Sequence, residues 1–200
     1  MKLRFKNETV QFDEQTSVEE IINKIDELLA NQYYYSHLIV DSEEVYESLE
    51  IYLLDSLGSI SNIEVVAKTI SEFVNEMLLM SINYLTKVIP EMTLLANQFY
   101  QNPNGDNWLD FSFLLEGMQW INQTIQLIDK TKVRPENWDE CIKVAAQLQM
   151  ELKNLEQAVE STDSVLIADI ILYELLPLYE ALNVVINTTI DTEDVSDNLN

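Results

Sequence analysis

Few residues in this chain are equipped for covalent chemistry. The one histidine is His37 and the one cysteine is Cys141. A Cys–His nucleophile pair needs the two side chains in hydrogen-bond contact, and the sequence puts them in different parts of the fold. Cys141 directly follows Asp139 and Glu140, whose charge disfavours a thiolate, so it reads as a small helix residue. With three glycines in all, a phosphate-cradling loop can hardly be built. No Gly-x-Ser-x-Gly elbow occurs. The other candidates are carboxylates. Asp169 and Glu174 interrupt the most apolar stretch, and Glu116 sits between Leu115 and Gly117. Facing carboxylates inside a helical bundle can hold two metal ions, but that design pairs Glu with a Glu-x-x-His motif, which this chain lacks. The acids are expected on the polar edges of their helices, because burying an unpaired carboxylate is costly. The sequence therefore assigns no catalytic residue, metal ligand or cofactor site, and the chain is expected not to be an enzyme.

Composition narrows the remaining choices. The 200 residues carry 35 acidic and 11 basic side chains, a net charge of −24. Such a chain repels phosphate backbones and anionic lipid, so neither nucleic acid nor a membrane surface is an expected partner. A protein partner is. A lone cysteine excludes an intramolecular disulfide. No apolar run follows Met1–Lys6 as a signal peptide would require, and none approaches the ~20 residues of a membrane helix. The cytoplasm is the expected compartment. Scarce glycine and proline favour long helices.

The elements follow from periodicity. Leu3 and Phe5 alternate with Lys2, Arg4 and Lys6. After Asn7-Glu8, Val10 and Phe12 alternate with Thr9 and Gln11, as in a β-hairpin. Ser17-Val18-Glu19-Glu20 is a capping box, opening a helix with Ile21, Ile22, Ile25, Leu28 and Leu29 on one face. Tyr33–Val40 is rich in aromatic and β-branched residues and reads as a strand. Its run Tyr33-Tyr34-Tyr35 is either a recognition patch or one core tyrosine between two edge residues. Val45-Tyr46 forms a short fourth strand, Leu49–Leu57 a short helix stopped by Gly58, and Ile63–Lys68 a fifth strand. Thr69-Ile70-Ser71-Glu72 is a second capping box, so the strand hands over to a helix without a linker. Four helices follow. The first is apolar at Ile70, Val74, Met77, Tyr84, Val88, Met92, Leu95 and Phe99. The second opens near Trp108, the third has Pro135 in its first turn, and the fourth runs from about Ser164 to Thr188. Pro90 and Pro177 fall inside helical patterns, where each removes a hydrogen bond and produces a kink or a hinge. The fold class is α+β: residues 1–69 a small mixed domain, 70–190 an antiparallel four-helix bundle, and 191–200 an acidic, disordered tail.

The order β-β-α-β-β-(short helix)-β over Lys2–Phe12, Ser17–Leu29, Tyr34–Val40 and Ile63–Lys68 resembles the β-grasp, or ubiquitin-like, fold. That resemblance implies a docking module. A conjugating ubiquitin ends in Gly-Gly, and no such tail follows the last strand here. It also implies that the first and fifth strands are neighbours. Lys2, Arg4, Lys6 and Lys68 would then form one basic stripe on the face away from the helix, shared with His37, Ile39 and Val66. The stripe is either a solvated face offsetting nearby acids or a docking surface. As a docking surface it would take an acidic partner or the chain's own helices.

Two binding functions are therefore expected ahead of an enzyme. One is an adaptor or scaffold using the basic sheet face and the acidic helices. The other is a chaperone-like carrier gripping an amphipathic client segment, with Met77, Met80, Met92, Met118 and Met150 supplying an adaptable surface. A carboxylate metal-binding bundle is a third, weaker alternative.

Overall fold

In the computed structural model, residues 1–197 are described except 14 and 31, with only the backbone of 191–197. The chain divides into two compact units, Met1–Phe73 and Val74–Asn200.

The first unit is a mixed five-stranded sheet. Its strands are β1 (Lys2–Phe5), β2 (Glu8–Gln11), β3 (Tyr33–Val40), β4 (Glu43–Val45) and β5 (Asn62–Thr69), in the order β2-β1-β5-β3-β4. The central pair β1 and β5 is parallel, and the other pairs are antiparallel. Helix α1 (Val18–Leu29) buries Ile21, Ile25 and Leu29 against Leu3, Phe5, Leu38, Val40, Ile63 and Val65, with Leu53 of α2 (Leu49–Ser56) closing the same core. Val10 and Phe12 pack at its margin.

Polar side chains fix the turns. At the head of α1, the Ser17 N–H donates to Glu20 Oε2 at 2.8 Å and the Glu20 N–H donates to Ser17 Oγ at 3.2 Å. Asp41 and Ser42 both have positive φ, as a tight hairpin turn demands. The Asp41 carboxylate then accepts the N–H groups of Ser61 and Asn62, at 3.0 and 2.8 Å, pinning the start of β5.

The sheet departs from simple alternation in two places. A bulge at Ser36 shifts the register of β3 on β5 between Tyr35 and His37. Tyr33 and Tyr35 consequently both pack on the core, and Tyr34 lies opposite, stacked on Phe73 with ring centroids 3.7 Å apart. The triple tyrosine is thus two core-side rings around an outer one, the reverse of the sequence expectation. The hairpin turn also begins one residue early, at Lys6 (φ 50°), which is outside β1.

The second unit is helical. Helix α3 (Ile70–Tyr100) starts at a reciprocal cap: the Thr69 N–H donates to Glu72 Oε2 at 2.7 Å, and the Glu72 N–H donates to Thr69 Oγ1 at 3.2 Å. Its first turn belongs to the sheet unit through Phe73. Next come α4 (Gly105–Asp129), capped by Asn104, and α5 (Trp138–Glu160). Pro135 does not enter α5, because Asn137 in left-handed backbone (φ 59°) sets the start at Trp138. Arg134 clamps the preceding loop by bridging Asp129 and Asp139, at 2.9 and 3.1 Å. The last segment is broken: α6 (Ser164–Asp169), a π-helical turn over Ile170–Leu175, and α7 (Leu176–Asp197). Pro177 lacks an N–H and crowds the carbonyl four residues back, and the i→i+5 turn lies just before it. Helix α5 packs against α4 and α7. Among the described residues no helix is long and apolar enough to cross a membrane. Of the tail expected to be disordered at 191–200, the backbone of 191–197 continues α7 as helix through Asp197, and 198–200 lie outside the described residues.

Candidate functional site

The sheet face away from α1 is less uniform than alternation implied. Register places Lys2 beside Gln11 and Asn62, and Arg4 between Thr9 and Glu64. On the other side of β5, His37 is opposite Val66, Ile39 opposite Glu64, and Tyr34 opposite Lys68. Lys2, Arg4 and Ile39 line a shallow hollow of about 330 Å3, and Asp41 and Glu64 line it with them. Charge there is mixed. Lys6 is not in this group. The turn carries its ammonium over the Tyr33 ring, 3.7 Å from the centroid, at the edge of the core. Lys6 and Lys68 both lie close enough to Glu72 to help hold its carboxyl below the usual range, after the larger effect of the two Thr69 hydrogen bonds. His37 stacks on Tyr46 at 4.5 Å, and its Nδ1 is 3.1 Å from Ser36 Oγ. Phe73, nearly buried, covers the Tyr34 end. Of the expected stripe, Lys2, Arg4 and Ile39 come together, His37, Val66 and Lys68 lie further along the same face, and Lys6 leaves it.

Cys141 is fully buried on α5, and its thiol is pushed up to about 12, first by burial and then by the Glu140 charge. Asp169 is half-buried and accepts the Tyr100 hydroxyl, a bond that is the main cause raising that phenol well above its usual range. Glu116 and Glu174 are exposed. Among the described residues no cluster of three or more His, Cys, Asp or Glu side chains is placed to hold a metal.

The feature that sequence reading missed lies in the helical unit. Tyr84, Val88, Met92, Leu94 and Leu95 of α3 face Phe113 and Leu114 of α4 across a groove of about 320 Å3. Glu91, Asp110 and Gln98 complete its lining. Leu94 is 55% exposed and Phe113 57%, a large amount of apolar surface left in water. Two features set the geometry. Phe99 packs on Trp108 and Phe111, at 4.9 and 5.4 Å, joining the helices at one end. Gly117 admits the Tyr84 ring at the other: a Cβ there would stand 1.9 Å from the Tyr84 hydroxyl. The Tyr84 and Tyr179 hydroxyls lie near enough to shift one another's ionisation, without meeting in a well-formed hydrogen bond. Burial, the larger cause, raises both phenols. The signal for the groove was present in the α3 stripe, where Leu94 adds an apolar position beside Leu95. The sequence did not reveal that no described residue of the unit covers it.

This helical unit, with its groove, falls within a recognised family. The model of a domain of unknown function, DUF8042, matches residues 76–184, more than half of the chain. The protein belongs to that family. The groove residues are all inside the matched segment, and the sheet unit is outside it. No curated protein and no solved structure matches the chain.

Proposed function

We propose that this protein is a non-catalytic, cytoplasmic protein-binding adaptor whose helical unit, an antiparallel four-helix bundle, holds an apolar segment of a partner in the α3–α4 groove. The observation that carries this reading is the exposure of Leu94 and Phe113 on facing walls of a groove that the described residues of the unit leave uncovered. The groove favours the carrier mode over a scaffold acting through a basic sheet face, because Arg4 shares its surroundings with Glu64 and Lys6 has turned away. The sheet unit serves as an accessory docking module. Its parallel, adjacent first and fifth strands support a β-grasp reading.

The test is a comparison of captured proteins. The chain and a Leu94→Glu/Phe113→Glu variant are used as bait in cell extract, with quantitative mass spectrometry. Both side chains are more than half exposed, so the variant should keep its helical circular dichroism and melting temperature. A partner retained by the parent and lost by the variant is the expected result. Identical captures from both would remove the groove from the function.

A further inference from the structure

We infer that the occupant of the α3–α4 groove is a basic amphipathic helix, an inference that rests on the groove being a protein-binding site. Three observations select this chemistry. The first is length. The lining follows α3 from Tyr84 to Gln98, roughly 20 Å at 1.5 Å per residue, the span of about four helical turns.

The second is backbone accounting. The walls are side chains of two helices, so no strand edge is present to pair with an extended peptide. An extended segment laid over Leu94, Leu95 and Phe113 would leave N–H and C=O groups facing hydrocarbon. A helix satisfies those groups internally and presents an apolar stripe, as helix-in-groove recognition requires.

The third is charge. Glu91 stands on the α3 side of the groove and Asp110 on the α4 side. Helix α4 carries Asp106, Asp110, Glu116 and Asp129 and no basic residue. Val74–Asn200 holds 20 acidic against 6 basic residues. Lysines flanking the stripe of an incoming helix would meet these carboxylates, and acidic flanks would be repelled. The same argument disfavours a second copy of this strongly acidic chain and an anionic lipid surface.

The probe is a fluorescent leucine–lysine amphipathic helical peptide, with a scrambled peptide of equal composition and a leucine–glutamate peptide as controls. Binding is read by anisotropy at physiological salt. Only the ordered leucine–lysine peptide should bind, and Leu94→Glu/Phe113→Glu should abolish its binding. Glu91→Lys/Asp110→Lys should weaken binding by about tenfold or more. The same charge change on exposed α5, Glu156→Lys/Glu160→Lys, should alter it by about twofold at most, as expected for distant screened charges. Equal binding of the scrambled or the leucine–glutamate peptide would overturn the inference, as would equal weakening by the α5 reversal. If no peptide binds while a captured partner is still lost on Leu94→Glu/Phe113→Glu, the basic helix is wrong and the groove reading stands. If that partner is retained as well, both fall.

Discussion

In the sheet unit, side chains tie down the backbone at three junctions. Asp41 takes the N–H groups of Ser61 and Asn62, Glu20 reaches back to Ser17, and Glu72 to Thr69. The helical unit has caps of its own, Asn104 on α4 and Asp163 on α6, and differs instead in its interior. Among the described residues, Asn75 Oδ1, Tyr84 Oη, Trp138 Nε1 and Tyr179 Oη are buried there without a well-formed hydrogen bond, against Tyr35 Oη in the sheet unit. The difference extends to the surface. Leu79, Met80, Leu94, Leu109, Phe113 and Leu115 are all exposed on α3 and α4. A unit specified by polar contacts tolerates little rearrangement. One specified by shape can leave walls open for another chain to fill, and that contrast supports the binding role proposed for the helices.

Three substitutions would break or sharpen the contrast. Gly117→Ala should have the largest effect. Its Cβ would stand 1.9 Å from Tyr84 Oη and 2.4 Å from the ring carbon bearing it, so a large, mostly buried ring must move. The cost should be ~1–3 kcal/mol, as for other overpacked sites, with loss of protection in α3 and α4 amides on hydrogen exchange and little change in the sheet. Uniform loss in both units would show that they are not specified separately.

Thr69→Ala comes next, at ~0.5–2 kcal/mol for a lost N-cap. It carries a pH signature as well. Glu72 has a folded-state pKa below its unfolded value, first because of the Thr69 hydrogen bonds. Its contribution is therefore present above the unfolded value of ~4.3 and is lost as pH falls through the lower folded value. The variant should show a flatter loss of stability with acid, followed through the sheet amides. An unchanged acid limb would mean that the hydroxyl does not hold the carboxylate.

The smallest effect belongs to Tyr179→Phe. A buried hydroxyl with no partner adds desolvation without a bond, so its removal should be neutral or slightly stabilising in thermal melts. A clear loss of stability would reveal a hydrogen bond between Tyr179 and Tyr84 and narrow the contrast between the units.

Most of the element order was legible in sequence because the signals were local. Both capping boxes, at Ser17–Glu20 and Thr69–Glu72, bond as their spacing predicts, and β3 spans Tyr33–Val40. What was not legible depended on backbone events without a strong residue signature. Lys6 adopts positive φ without being glycine or asparagine, and Ser36 inserts a bulge that reassigns three tyrosines. Glu64 was visible in the fifth strand, but its position beside Arg4 emerges only from register. The groove depended on a tertiary fact, the exposure of Leu94 and Phe113 among the described residues, that no local pattern encodes.

The π-helical turn settles a question of angular phase. Buried residues in the last helical segment recur at Ile167, Ile171, Leu175 and Tyr179, each four after the one before. On an α-helix of 3.6 residues per turn, a four-residue step overshoots by ~40°, and three such steps would carry the stripe ~120° around the axis. Between Ile170 and Leu175 the chain rotates less per residue, with the Leu176 N–H donating to the Ile171 carbonyl five positions back, and this recovers much of the swing. Beyond it the stripe returns to mixed steps of three and four at Leu182, Ile186 and Thr189. The number of residues in that turn, more than the identity of any one of them, decides which side of α7 meets the core. Removing a single residue there would leave later side chains in place only if the turn reverted to 3.6 residues; kept as a π-turn, it would rotate them by ~100°, putting polar positions such as Asn183 and Asn187 where Leu182 and Ile186 now pack.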